Sequence, residues 1–171
     1  QMEIIFPDRD EDFHLEVANR YRAIYDTMAI EICPPFPHMK PLLRNLKDAG
    51  VVVTIASSKR SNLVQVVIDH HDLNDYFAMV VGAQEVTHHK PHPESVHITV
   101  AKLDIPHEHT IVIGDSTFDL DMARNAGVDA IGVTTGVHTK EMLERSDPTH
   151  IVEDLVAVEK IILNGKNGKS V

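Results

Sequence analysis

Ile111-Val112-Ile113 is a run of three β-branched residues that halts at Gly114, and acidic side chains follow at once at Asp115, Asp119 and Asp121. Such a run favours extended backbone, and Gly127 closes what the spacing predicts as a short helix. A buried strand that ends in carboxylates and turns straight into a helix is restrictive. Its natural place is the carboxyl edge of a parallel sheet, where open α/β folds bind ligands. Asp115 and Asp119, four residues apart, can converge there on one hard cation, which takes oxygen ligands. The same string also reads as an ordinary turn with a helix-capping Asp. Spacing by itself leaves both readings open.

The rest of the chain repeats the strand-helix rhythm. Val51 to Ala56 is a second β-branched run and reads as a fully buried strand. Ala78 to Val81 reads as a third, Ala130 to Val133 as a fourth, and His150 to Val152 as a short last one. Helices are predicted between them: over 39–49 with Leu42, Leu43 and Leu46 inward and Gly50 as its stop, after Ser61 as a cap, and after Pro93 with Val96, Val100 and Leu103 on one face. Two more follow, over about 139–145 and from Leu155 to Ile162. The tail from Asn164 is expected to fray. This alternation predicts a Rossmann-like α/β fold, a parallel sheet covered by helices on both faces in three layers.

Before residue 33 the pattern differs. Met2 to Phe6 is a short apolar patch, followed by Pro7 and the acidic cluster Asp8, Asp10, Glu11 and Asp12. Phe13 to Ile30 has helical period, with Val17, Tyr21, Ile24, Tyr25 and Met28 on one stripe. Cys33-Pro34-Pro35-Phe36-Pro37-His38 forbids a helix and marks a boundary between a unit of residues 1–32 and one of 33–171.

Composition narrows the partners. A formal net charge of −10 disfavours nucleic acid and anionic membrane surfaces, which need a basic face. No apolar run approaches the roughly 20 residues of a membrane span, and no secretory-signal pattern opens the sequence. The single Cys33 cannot form an internal disulfide, which fits a reducing cytoplasm; it reads as a small buried hydrophobe. Four of the twelve histidines, His88, His89, His92 and His97, fall within ten residues. Pro91 and Pro93 interrupt that run and no Cys lies near, so they read as solvated loop groups rather than a zinc site.

Three polar stations follow the strands: Ser57, Lys90 and the Asp115/Asp119 pair. Along one sheet edge they make a kit for a phosphate on a divalent cation. Ser57 offers a hydroxyl and a backbone N–H, Lys90 a point charge, and the carboxylates hold magnesium, which uses one or two carboxylates, phosphate and water. Preorganised charge of this kind stabilises phosphoryl transfer. Asp121 lies off this spacing and reads as a helix-surface residue.

In order and spacing these stations resemble the haloacid dehalogenase superfamily of phosphohydrolases, nearest its phosphoglycolate phosphatase-like and pyrophosphatase-like branch. Val51-Val52-Val53-Thr54-Ile55-Ala56-Ser57 resembles its second motif, Lys90-Pro91-His92-Pro93 its third, and Gly114-Asp115-Ser116-Thr117-Phe118-Asp119 its fourth. The resemblance implies a magnesium-dependent hydrolase of a small phosphorylated metabolite working through an aspartyl phosphate. Ser57 would bind the phosphoryl group, Lys90 would bridge phosphate and nucleophile, and Asp115 and Asp119 would hold magnesium.

The family's first motif, a strand ending Asp-x-Asp-Gly-Thr that carries the nucleophile, is not intact. The nearest string ends Pro7-Asp8-Arg9-Asp10-Glu11-Asp12, with Glu11 and Asp12 in place of Gly and Thr. Residues 1–32 then read as the end of a helical cap domain, with the nucleophile outside the sequence. Alternatively, Met2 to Phe6 is a degenerate first strand, with Asp8 and Asp10 catalytic in a capless relative. A third reading is a non-catalytic domain that binds a metal or a partner. On the first reading the sheet is expected to carry a gap between the strand ending at Ser57 and the strand ending at Gly114, at some cost in unpaired edges.

Overall fold

The structure, a computed structural model, describes residues 2–167. The chain divides into two compact units, one ending at Pro34 and the other beginning at Pro35.

The first unit holds α1 (Met2–Ile5) and α2 (Glu11–Ile32). Asp10, in extended backbone, accepts the Phe13 N–H at 2.9 Å and caps α2, satisfying one of the orphan donors of its first turn. Phe6 and Phe13 meet edge to face at 5.5 Å, and His14 Nε2 donates to the Phe6 carbonyl at 2.8 Å. The alternative that makes Met2 to Phe6 a degenerate strand is therefore corrected. So short an apolar patch has no period that separates strand from helix, and Pro7 stops the helix by restricting Phe6. Asp8 and Asp10 lie in an exposed turn and a helix cap, not at a strand end. On α2, Ala29 is buried, whereas Tyr21, Ile24 and Met28 of the apolar stripe are exposed. Cys33 ends the helix half-buried, its Sγ 3.3 Å from the Tyr25 hydroxyl, so it is not the fully buried hydrophobe expected.

The second unit runs α3 (Met39–Asp48), β1 (Val53–Ala56), α4 (Ser61–His70), β2 (Phe77–Val81), α5 (Glu94–Leu103), β3 (Ile111–Gly114), α6 (Thr117–Ala126), β4 (Asp129–Val133), α7 (Lys140–Glu144), β5 (His150–Val152) and α8 (Leu155–Asn167). Gly50 (φ 70°) and Gly127 (φ 69°) follow α3 and α6 in the left-handed region, where glycine escapes the Cβ penalty. Ser61 does not cap α4. Arg60 holds that position, and the Ser61 hydroxyl instead donates to Glu85 at 2.7 Å and accepts from Gln84 at 2.9 Å.

All strand pairing is parallel, but it falls into two sheets: β1 with β2, and β3-β4-β5 in that order. Side chains alternate between two helical layers. On one face Val112 and Ala130 pack with Leu120 and Ala123 of α6 and Leu143 of α7, while Ala56 and Val112 meet Val96 and Val100 of α5 and Met122 of α6. On the other, Val53, Ile111, Ile131 and Val133 pack with Leu42 and Leu46 of α3 and Val158 of α8. Each fully buried aliphatic such as Leu120, Met122 or Ile131 contributes roughly 1.5–3 kcal/mol over leaving it in water.

Both apolar layers include residues from β1 and from β3, so the two sheets share their helices across a cleft. The edges of β1 and β3 that face it have no strand partner among the described residues. The cleft encloses about 220 Å³ between Val53, Thr54 and Ala56 on one side and Ile111, Val112 and Ile113 on the other, with Val96, Val100 and Met122 below and Lys90 and Asp119 at its end. This is where the sequence placed a gap. It also corrects the expectation of a fully buried strand at Val51–Ala56. β4, flanked on both sides, is buried over its last four residues, while every residue of β1 is only half-buried because one flank is open.

Candidate functional site

The carboxyl ends of β1 and β3 converge on one side chain. Lys90, in the loop before α5, donates from Nζ to the Ala56 carbonyl at 2.8 Å and to Asp119 Oδ1 at 2.6 Å. The first partner closes β1 and the second sits in the opening turn of α6, so the lysine spans the mouth of the cleft. Lys90 and Asp119 keep only 15% and 14% of their side chains exposed. An ammonium has three donors, and these contacts use two. Asn125 steadies the lysine's loop from α6, donating to the Pro91 carbonyl at 2.9 Å.

Asp119 is a hub. Its Oδ2 accepts the Ser116 hydroxyl at 2.6 Å, and Ser116 caps α6. The helix cap therefore falls to Ser116, which removes the capping role open to Asp115 in the sequence. Asp115 is half-buried one residue beyond β3, and its carboxylate has no hydrogen bond or ion pair among the described residues. Two glycines make room for these acids. A Cβ on Gly136 would overlap the Asp115 side chain, and one on Gly114 would overlap Asp119. In the sequence Gly136 is only the glycine of the loop Thr134-Thr135-Gly136 after β4, the neighbouring strand, with no sign of its tie to Asp115.

Ser57 is half-buried at the end of β1. Its backbone N–H is spent on the Val81 carbonyl of β2 at 2.9 Å, which corrects the expectation that this N–H would serve a phosphate. Its hydroxyl oxygen accepts the Lys59 N–H at 3.1 Å, leaving the O–H to donate elsewhere. At the start of α6, the Thr117 N–H donates to His138 Nδ1 at 2.9 Å, a contact no sequence spacing announced. Asp121 pairs with Arg124 at 2.9 Å on the helix surface.

The loop around Lys90 is tied from outside the cleft by Glu94. Its carboxylate accepts the Thr87 and His88 N–H groups, each at 2.8 Å. These bonds, the Thr87 one foremost, hold its carboxyl down to about 2. His88, His92 and Glu94 stand together; the histidine run thus has an acidic partner that its sequence did not reveal.

Parallel strands followed by a lysine, a serine and two carboxylates define an open α/β domain of the kind that binds ligands at the carboxyl ends of its strands. The chain belongs to the haloacid dehalogenase-like hydrolase family, whose model matches residues 3–133. It is 36% identical over 146 residues to the "Probable phosphatase IndB" of Dickeya dadantii, covering 84% of this chain and 64% of that protein. Against the phosphoglycolate phosphatase of Salmonella typhi it is 29% identical, covering 86% and 60%. Against the pyrophosphatase PpaX of Oceanobacillus iheyensis it is 28% identical, covering 74% and 59%. The chain thus spans about three-fifths of these relatives' length. A crystal structure assigned to the same hydrolases, from Bacteroides fragilis, superposes with a TM-score of 0.85 at 29% identity, covering 91% of this chain and 74% of that one. No helix among the described residues is long and apolar enough to cross a membrane.

Proposed function

We propose that this chain is the phosphate- and cation-binding part of a phosphohydrolase for a small phosphorylated metabolite, and that its attacking carboxylate arrives on a strand seated in the cleft between β1 and β3. The observation that carries this reading is Lys90, held at the cleft's mouth by Asp119 and the Ala56 carbonyl with one donor to spare. That donor and the Ser57 hydroxyl would grip phosphate oxygens. The carboxylate of the entering strand would bond to phosphorus as the bond to the leaving oxygen breaks, and a neighbouring acid would protonate that oxygen. Water would then attack the acyl phosphate, release phosphate and restore the carboxylate.

The donor set fits magnesium. Asp115 offers a carboxylate free of other bonds among the described residues, Asp119 a second one, and the ion accepts such a pair with phosphate and water completing its shell. Bound there, magnesium would neutralise phosphate charge. The names of the relatives favour phosphoglycolate or a pyrophosphate as the kind of substrate. The unit ending at Pro34 would be the close of a helical cap, and the single free Cys33 suits a cytoplasmic setting.

The test is a phosphatase assay with magnesium on this chain, alone and co-expressed with a segment whose strand ends Asp-x-Asp. Turnover that requires the added segment, and that falls with Lys90→Met, Ser57→Ala and Asp115→Asn, is expected. Magnesium-dependent turnover by the chain alone, abolished by Asp8→Asn, would overturn the reading and place the nucleophile in the turn before α2.

A further inference from the structure

The loop that presents Lys90 to the cleft carries a second set of donors on its outer side. Glu94 is fixed there by the Thr87 and His88 N–H groups, one on each carboxylate oxygen. Each oxygen has two lone-pair sites, so Oε1 keeps one, and Oε2 keeps one when His88 Nδ1 carries no proton to donate to it. His88 Nδ1 lies 2.9 Å from Glu94 Oε2 and His92 Nδ1 lies 4.0 Å from the same oxygen. One ligand atom from each of the three residues lies within 4.8 Å of the others. The imidazoles stand side by side, centroids 4.5 Å apart and tilted by 31°.

Donors on a tetrahedral zinc ion, bonded at about 2.0–2.2 Å, are roughly 3.3 Å apart. The 2.9 Å and 4.0 Å separations from Glu94 Oε2 lie on either side of that value. The two histidines are 62% and 48% exposed. His88 Nδ1 bonds Glu94 Oε2 at 2.9 Å and His92 Nδ1 accepts the Glu94 N–H at 3.3 Å, contacts that a bound ion would replace, while the acid is already anchored by the loop amides. Two imidazoles and one carboxylate, with a fourth position open to water, form a donor set suited to zinc, cobalt, nickel or copper. Magnesium prefers oxygen alone, so this set selects against the ion that suits Asp115 and Asp119.

We propose that His88, His92 and Glu94 form a surface site for a divalent transition metal of the zinc type, and that the ion braces the loop presenting Lys90. The site stands whether or not the chain is a phosphohydrolase. The alternative for the same atoms is a loop closed by hydrogen bonds alone, with His88 donating to Glu94.

Cobalt is the probe. The protein, freed of any affinity tag, is titrated with Co2+ alone near neutral pH and followed by visible absorption. The expected result is saturation at one equivalent with the intensity of a four- or five-coordinate site, displaced by Zn2+ and indifferent to excess Mg2+. Bound metal should raise the melting temperature, because it binds the folded state only. His88→Ala and His92→Ala should each weaken binding by at least about tenfold, and His97→Ala should leave it unchanged. Glu94→Gln, which keeps an acceptor for the loop amides, should weaken it likewise and guards against a loop that unfolds. Absence of saturable binding, binding indifferent to the two histidine variants, or displacement by Mg2+ would each overturn the proposal.

Discussion

Lys90 Nζ lies 2.6 Å from Asp119 Oδ1 and 2.8 Å from the Ala56 carbonyl, so one ammonium joins the end of β1 to the start of α6. This pair is nearly enclosed, and neither partner can lose the other cheaply. Lys90→Met should destabilise the fold by roughly 2–4 kcal/mol, somewhat below a fully buried pair because a little of each side chain still meets water. Lys90→Met with Asp119→Asn should recover part of that loss, since no unpaired charge remains. Urea unfolding of the single and double variants checks this; strictly additive losses would show that the two groups are not coupled.

Gly136→Ala should disturb the Asp115 carboxylate without disturbing the sheet. The added methyl group overlaps the whole Asp115 side chain, not just its tip, so the acid must swing away from its place beyond β3. We expect Mg2+ affinity to fall by about tenfold or more while far-UV circular dichroism stays as in the parent. Calorimetric titration with Mg2+ measures the first; unchanged affinity would show that Asp115 does not hold the ion in this position.

Glu159 on α8 binds two side chains near α3. Asn45 Nδ2 donates to Oε1 at 2.7 Å, and His38 Nε2 lies 2.5 Å from Oε2. These bonds, the Asn45 one foremost, hold its carboxyl below the ordinary value of 4.5. A carboxyl lowered by folding adds stability that is fully present above its unfolded value and is lost as pH falls through the folded one. The melting temperature should therefore drop as pH falls below about 4.5, and Glu159→Gln should flatten that limb. Parallel acid limbs in parent and variant would remove Glu159 as a source.

Amide exchange should separate β4 from its neighbours. β4 pairs on both sides, whereas β1 and β3 each face the cleft with one edge. The amides of β1 and β3 aimed at the cleft should exchange much faster than those of Ala130 to Val133, which open only with the wider fold. Uniform protection across the three strands, measured by NMR, would mean the cleft is closed in solution.

Much of this fold was legible because its strands are unambiguous. Ile111 to Gly114 and Ala130 to Val133 are β-branched or apolar runs bounded by turns, and Gly50 and Gly127 mark helix ends that only a left-handed residue closes easily. The stations Ser57, Lys90, Asp115 and Asp119 were legible from their order along those elements. What stayed hidden was set by contacts distant in sequence. Gly136 bears on Asp115 only once β3 and β4 pair. Glu94 gathers His88 and His92 only once the loop folds back. The Ser57 N–H was lost to Val81, a partner that strand pairing supplies. Met2–Ile5 stayed open between a cap helix and a degenerate strand because four residues carry too little period to decide.

The position of Lys90 also bears on how descendants of this fold would diverge. A side chain that rivets two half-sheets together is retained for the sake of folding, whatever becomes of the chemistry. A lineage that abandoned turnover would be free to discard Asp115, whose carboxylate has no hydrogen bond or ion pair among the described residues, long before it could discard the lysine. On the function proposed above, survival of the lysine among relatives would report the fold, and survival of the aspartate would report the chemistry.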